Sequence, residues 1–341
     1  MGIPEYLYYI GLSAKRAYAV RHQKKLPCRV ISIGNLTVGG TGKTPAAIAV
    51  AEEAKKRGFS PVVLTRGYKG SVRGPCFVTR GETALLNTEE AGDEPVLMAE
   101  KLQGVPIVKG ADRYEAGLFA LHNGNAHCST HNDKLLFILD DGFQHWKLYR
   151  DKDVLLIDSA DPFGNRALLP LGKLREPLTA IRRADIVVLT KCAGDDGARR
   201  SVSEHIIAEI KKYNAEASVF LSSHTIAASH LLSGERVSPD QLKGRKVFGF
   251  CALGNPGSFS STVTGTGAVL TGFMTFRDHY RYSREDMAKI IRAAEDSGAE
   301  SIVTTEKDVI KIRGLDLPEN IIIIGIAFSV VQGFYDEVFA F

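Results

Sequence analysis

Cysteine is scarce in this chain, and the five present, Cys28, Cys76, Cys128, Cys192 and Cys251, are odd in number and widely spread. No two stand at the short spacing of a zinc cluster, and the scatter argues against a disulfide framework, so a reducing, cytosolic setting is expected. Long apolar runs are also missing. The longest, Ile321 to Val331, is broken by Gly325 and Ser329, and it falls short of the roughly 20 residues that span a bilayer, so no transmembrane helix is expected. Glu5, Gly11, Lys15 and Arg16 interrupt the N-terminal segment, which therefore lacks the unbroken apolar core of an export signal. Charge of one sign is not in excess: the formal balance is only +4, and without a long Lys/Arg run or an aromatic RNA-binding signature no nucleic-acid partner is expected. Such a modest basic bias suits phosphates or an anionic lipid.

What the chain does have is 341 residues with 44% hydrophobic and 24% charged side chains, the composition of an ordinary globular protein long enough for two domains. Residues 3 to 25 set Ile3, Leu7, Ile10, Ala14 and Ala17 at helical spacing, with Tyr6, Tyr8, Tyr9 and Tyr18 nearby and Lys15, Arg16, Arg21, Lys24 and Lys25 toward the end. Residues 1–28 thus form a basic amphipathic segment with two readings: docking on an anionic membrane, or packing of an apolar stripe on the domain. From residue 29 short β-branched runs alternate with helical stretches: Val30 to Ile33, Val62 to Leu64, Pro106 to Val108, Leu135 to Leu139, Val154 to Ile157 and Ile186 to Leu189. This alternation predicts an α/β domain over 29–222, with a mostly parallel sheet flanked by helices and ligands at the carboxyl ends of its strands. A polar, Ser-rich stretch marks a transition. Over 223–341 Val247 to Phe250, Val269 to Phe276, a helix opened by Ser283 with Asp286 as a capping box, Ser301 to Thr304 and Ile321 to Ile324 predict a second, smaller α/β domain.

The strongest chemical signal follows the first strand: Thr37-Val38-Gly39-Gly40-Thr41-Gly42-Lys43-Thr44, leading into an apolar helix. A nucleotide's phosphates need inward backbone N–H groups unobstructed by side chains, a helix N-terminus, a lysine for the β and γ charge and a hydroxyl for Mg²⁺; Gly39, Gly40, Gly42, Lys43 and Thr44 supply them. Thr37 stands where the first glycine of a P-loop is usual. A rival class, the partitioning and cofactor-insertion ATPases, carries a signature lysine at the position of Val38. The run Leu135 to Leu139 ends in Asp140-Asp141, as a Walker B strand does when a carboxylate holds the magnesium that bridges phosphates. Gly92-Asp93-Glu94-Pro95 reads either as a helix cap by Asp93 or as a general base awaiting an acceptor hydroxyl. Phe276-Arg277-Asp278-His279-Tyr280 places Asp beside His at a strand end, where the acid can orient the imidazole. Arg66, Arg113, Arg175 and Glu176 follow or flank other strands, and arginines at one sheet edge suit a phosphorylated ligand.

Taken in order, Gly34 to Pro45, Thr65-Arg66-Gly67-Tyr68, Gly92 to Pro95, Asp140-Asp141-Gly142-Phe143-Gln144-His145, Leu174-Arg175-Glu176-Pro177, Phe276 to Tyr280 and Thr304 to Asp308 resemble the tetraacyldisaccharide 4'-kinase family over most of the chain. The resemblance implies a P-loop kinase that uses ATP and Mg²⁺ to phosphorylate the 4'-hydroxyl of an acylated glucosamine disaccharide 1-phosphate at the cytoplasmic face of a bacterial inner membrane. It implies Asp93 as base with His279 in support. It also implies Thr37 to Thr44 on the nucleotide, Thr44, Asp140, Asp141 and Glu94 on the metal, and Tyr68, Arg113, His145, Arg175 and Glu176 toward the sugar phosphate. A monomer docked on anionic lipid through its first helix is expected. Two features depart from the family: Arg166-Ala167 stands where Gly-Arg is more frequent, and Lys173 where Pro is common. An ATPase or GTPase switch acting on a protein partner is the alternative; against its GTPase form, Thr190-Lys191 opens no complete Asn-Lys-x-Asp guanine signature.

Overall fold

The computed structural model describes residues 2–124, 134–192 and 197–341, so Cys128 lies outside the described residues. The chain divides into two compact units, Met1–His224 with Phe328–Phe341, and Thr225–Ala327.

The first unit runs α1 (Ile3–Arg21), β1 (Arg29–Asn35), α2 (Lys43–Lys56), β2 (Ser60–Thr65), β3 (Cys76–Thr79), α3 (Thr88–Ala91), α4 (Asp93–Lys101), β4 (Ile107–Lys109), α5 (Arg113–Asn123), β5 (Leu135–Asp140), β6 (Lys152–Asp158), β7 (Ile186–Thr190), α6 (Gly197–Tyr213) and β8 (Ser218–Leu231), the strand along which the chain passes into the second unit. Its strands are ordered β8-β7-β6-β1-β5-β2-β4-β3. All neighbours are parallel except β3, an antiparallel edge strand on β4. Helices cover the sheet, so its strands are apolar throughout rather than alternating; every residue of β5 and of β7 is buried. Small side chains let α2 lie close on this surface, with Ala46, Ala47, Val50, Ala51 and Ala54 all buried. The register pairs Ile33 with Asp140 and Asp158 with Thr190, which aligns the ends of β1, β5, β6 and β7 along one carboxyl edge.

The second unit contains β9 (Arg236–Val237), α7 (Pro239–Leu242), β10 (Lys246–Cys251), α8 (Pro256–Gly265), β11 (Val269–Thr275), α9 (Arg284–Asp296), β12 (Ser301–Thr305), α10 (Glu306–Ile312) and most of β13 (Ile321–Val330), whose last residues belong to the first. Here the order is β11-β10-β12-β13, all parallel. Ser283 caps α9 with Asp286 completing the box, as the sequence suggests.

The segment Phe328–Phe341 groups with the first unit rather than with the rest of 223–341. Aromatic packing explains the return: Phe334, in α11 (Phe334–Val338), is fully buried and meets Phe220 edge-on at 5.6 Å between centroids, while Phe339 stacks on Phe59.

Helix α1 presents its polarity inside out. Ile3, Leu7 and Ile10 are 79%, 63% and 48% exposed, whereas Glu5 is buried. Glu5 accepts a hydrogen bond from the Leu168 N–H at 2.8 Å, and the Tyr8 hydroxyl donates to the Arg175 carbonyl at 2.9 Å. The apolar stripe is therefore not the packed face.

Candidate active site

The turn from β1 into α2 is built for anions. Gly42 caps α2 in a left-handed conformation, φ +85, which a side chain would strain. A Cβ on Gly39 or Gly40 would meet nothing within 4 Å, so the loop backbone faces open space. Behind it the loop is pinned: buried Asn35 donates through Nδ2 to the Thr37 carbonyl at 2.7 Å and to Thr41 Oγ1 at 2.9 Å. Thr190 Oγ1 donates to the Thr41 carbonyl at 3.1 Å, and the Val38 N–H donates to the Lys173 carbonyl at 2.8 Å. Lys43 and Thr44 open the helix, where the macrodipole adds to the lysine's charge.

At the end of β5 the two acids differ sharply. Asp140 is buried at 4% exposure and accepts from Thr65 Oγ1 at 3.1 Å. Burial, then the charges of Glu94 and Asp141, outweigh Lys43 and Arg113 and push Asp140 up to about 7. Asp141 has φ +51, a conformation that turns the chain sharply at the strand end. Although burial opposes its charge, Lys43 and Arg175 hold it below the usual carboxylate range. Lys43 Nζ lies 3.7 Å from Asp141 Oδ1, and Arg175 Nη1 is 2.9 Å from both carboxylate oxygens.

Asp93 is the first residue of α4 and is 9% exposed. Gly92 occupies the cap position with φ +95, and a Cβ there would stand 2.5 Å from the Tyr68 carbonyl. Asp93 thus stands one residue inside the cap position, and only glycine at the cap admits the loop carrying Tyr68. Tyr68 itself is 52% exposed.

The residues expected to face a sugar phosphate separate into two kinds. Tyr68 and Arg175 remain partly exposed. Arg113, in contrast, is 3% exposed, and its guanidinium donates to the carbonyls of Gly110, Ala111 and Asp140. Glu176 is 1% exposed and held by Arg183 at 2.8 and 2.9 Å and by Gln144 at 3.1 Å. His145 Nε2 accepts the Arg113 N–H at 3.2 Å, and burial with Arg113 lowers it to about 4. These side chains frame the strand ends. Gln144 extends the frame, since its amide also donates to the Asn35 carbonyl at 2.9 Å. Asn35, Gln144, Arg183 and Thr190 carry this scaffolding although the sequence assigns none of them a site role; Asn35, Gln144 and Thr190 stand inside quoted motifs, whereas Arg183 gives no local signal.

The donor set fits magnesium. Asp140 Oδ1 is buried and meets no hydrogen-bond donor, Glu94 is near enough for its charge to bear on Asp140, and Thr44 supplies a hydroxyl. Among the described residues no three or more His, Cys, Asp or Glu close around a metal. Magnesium binds through one or two carboxylates and completes its shell with water and phosphate oxygens. His279 belongs to the second unit; it follows β11 with φ +61, and its Nε2 lies 3.8 Å from Asp278 Oδ2.

A strand, a glycine loop and a helix N-terminus, with carboxylates ending the neighbouring parallel strand, define the P-loop kinase fold class. The family model for tetraacyldisaccharide-1-P 4'-kinase matches residues 4–338, and the chain belongs to that family. A tetraacyldisaccharide 4'-kinase of Syntrophus aciditrophicus is 40% identical over 301 residues, covering 86% of this chain and 77% of the relative. One from Halothermothrix orenii is 37% identical, over 89% and 81%. The crystal structure of LpxK from Aquifex aeolicus in complex with ATP superposes with a TM-score of 0.73 at 33% identity, over 98% of this chain and 95% of that one.

Proposed function

We propose that the protein transfers the γ-phosphate of ATP to the 4'-hydroxyl of tetraacyldisaccharide 1-phosphate in lipid A biosynthesis, at the cytoplasmic face of the inner membrane. The observation that carries this reading is the phosphate loop facing an acidic strand end to which α4 delivers Asp93 and Glu94, with Asp93 buried at the first position of that helix.

Thr37 to Thr44 bind the phosphates, and Lys43 neutralises the bridging and terminal oxygens. Thr44, Asp140 and Glu94 would hold Mg²⁺, with Asp141 beside them. The chemistry such an ion would supply there is positive charge against the phosphates. Asp93 accepts the proton of the 4'-hydroxyl as the new O–P bond forms and the bond to the β-phosphate oxygen breaks, leaving ADP. Positioning and charge do most of the work in such transfers. Tyr68 and Arg175 face the sugar phosphate, with Arg113, His145 and Glu176 shaping the wall behind them. The exposed apolar stripe of α1 and its basic C-terminal half support peripheral contact with anionic lipid, where an acylated substrate resides; no described helix is long and apolar enough to cross a membrane.

The test is transfer of labelled γ-phosphate to tetraacyldisaccharide 1-phosphate in detergent micelles with magnesium, beside a lipid-free control. Labelled lipid that disappears with Lys43→Ala is expected. Hydrolysis without labelled lipid would point instead to a switch ATPase.

A further inference from the structure

The groups assigned to metal and acceptor, Asp140, Asp141, Glu94 and Asp93, follow β5 or open α4, on the β5–β2 side of β1. On the other side β6 and β7 end at the same edge in Asp158 and Thr190, which are register partners. The phosphate loop is fastened to that side by Thr190 Oγ1 on the Thr41 carbonyl, 3.1 Å, and by the Val38 N–H on the Lys173 carbonyl, 2.8 Å.

Lys191, the next residue after Thr190, has φ +63. A side chain in this conformation costs on the order of 1 kcal/mol and persists where its surroundings impose it, often at ligand sites. Its ammonium pairs with Asp158 Oδ2, and the two side chains are only 13% and 10% exposed. Asp158 is fixed in turn, because its Oδ1 accepts the Ala160 N–H at 3.0 Å. The pair is thus a rigid feature one residue from the contact that holds the loop.

A nucleoside triphosphate whose terminal phosphate is directed toward Asp93 leaves its ribose and base on the opposite side of the loop. We propose that Lys191, oriented by Asp158, is a nucleoside-binding residue, its aliphatic stem lying along the base and ribose. Lysine suits this task because its four-carbon stem covers apolar surface while the charged head is satisfied elsewhere, here by Asp158, which keeps the ammonium from competing for the phosphates. The inference rests on the nucleotide-binding reading of Lys43 and its loop.

Equilibrium binding to the full chain separates the two claims when MgATP is compared with magnesium tripolyphosphate, which offers phosphates without a nucleoside. Lys191→Met is expected to weaken MgATP about tenfold while tripolyphosphate stays within about twofold, and Asp158→Asn is expected to move ATP in the same direction. Retained tripolyphosphate binding also reports that each variant is folded. Lys43→Ala should weaken both ligands. Equal losses for both ligands in Lys191→Met, or undiminished ATP affinity, would overturn the subsite with the loop reading intact. An unaltered protein that binds neither ligand would overturn the loop reading and the subsite together.

Discussion

Lys43 Nζ stands 3.7 Å from Asp141 Oδ1, and the same carboxylate is gripped by Arg175 Nη1 at 2.9 Å from each oxygen. Two cations therefore share one acid, and removing Lys43 leaves Asp141 still paired instead of stranded. Lys43→Ala is expected to lower turnover by about 10²–10³ while shifting unfolding free energy by less than about 1 kcal/mol. Steady-state kinetics beside denaturant melts check this; a loss of several kcal/mol would make the lysine a structural group.

Asp140 presents the opposite balance, an acid whose burial opposes its function. With its folded pKa raised to about 7, the neutral carboxyl stabilises the fold fully below its unfolded value near 3.9, and that contribution is lost as pH rises through 7. Asp140→Asn should therefore stabilise the protein in EDTA by about 1–3 kcal/mol at pH 8, with the gain shrinking toward pH 4, while turnover falls at least about 10²-fold. Thermal unfolding at the two pH values is the measurement. A destabilised variant at pH 8 would mean that the charged carboxylate is satisfied in the fold.

Asp93 tests whether catalysis and helix formation are separable. Because Gly92 occupies the cap position of α4 and asparagine keeps a side-chain oxygen at the first turn, Asp93→Asn should keep its helix and its ATP affinity, yet lose about 10²–10⁴ in turnover if the carboxylate takes the acceptor's proton. Circular dichroism, nucleotide titration and single-turnover transfer together decide it. Near-normal transfer would remove Asp93 from the base role.

How far the sequence could be read depended on whether a feature was local. The turn from β1 to α2 announces itself because left-handed Gly42 and unobstructed Gly39 and Gly40 are requirements of the chain itself. Strands β6 and β7 are legible as apolar runs because both sheet faces are covered. Strand β8 reads in sequence as a polar transition: its residues Ser218 to Leu231 include Ser222, Ser223, His224 and Ser229, and its strand state comes from pairing with β7 and β9 rather than from its own pattern. Periodicity marked the two faces of α1 but could not say which one packs, since that was decided by Glu5 and Tyr8 reaching distant backbone. The frame around Arg113 and Glu176 was hidden for the same reason, each partner being set by tertiary placement.

The outward face of α1 makes its own prediction. Ile3 and Leu7 are largely exposed, so charges placed there cost the fold little, within about 0.5 kcal/mol. They should nevertheless abolish the burial of two side chains in a lipid surface, worth about 1.5–3 kcal/mol each. Ile3→Asp with Leu7→Asp is expected to reduce binding to anionic vesicles at least about tenfold with unchanged melting. Flotation assays read this directly, and undiminished vesicle binding would remove α1 as the docking element.

His145 carries the acid sensitivity of the frame. Its Nε2 accepts the Arg113 N–H at 3.2 Å, and burial together with Arg113 lowers its pKa to about 4, so the folded protein holds the neutral imidazole with its proton on Nδ1. The unfolded chain takes up a proton near pH 6.5, which means that this residue's contribution is present above 6.5 and is lost as pH falls toward 4, by up to roughly 3 kcal/mol. His145→Gln keeps an acceptor for the Arg113 N–H but has nothing to titrate. Denaturant melts at pH 7, 5.5 and 4.5 should therefore show the unaltered protein losing stability more steeply than the variant. Parallel slopes would mean that His145 protonates in place, with the Arg113 N–H finding another acceptor.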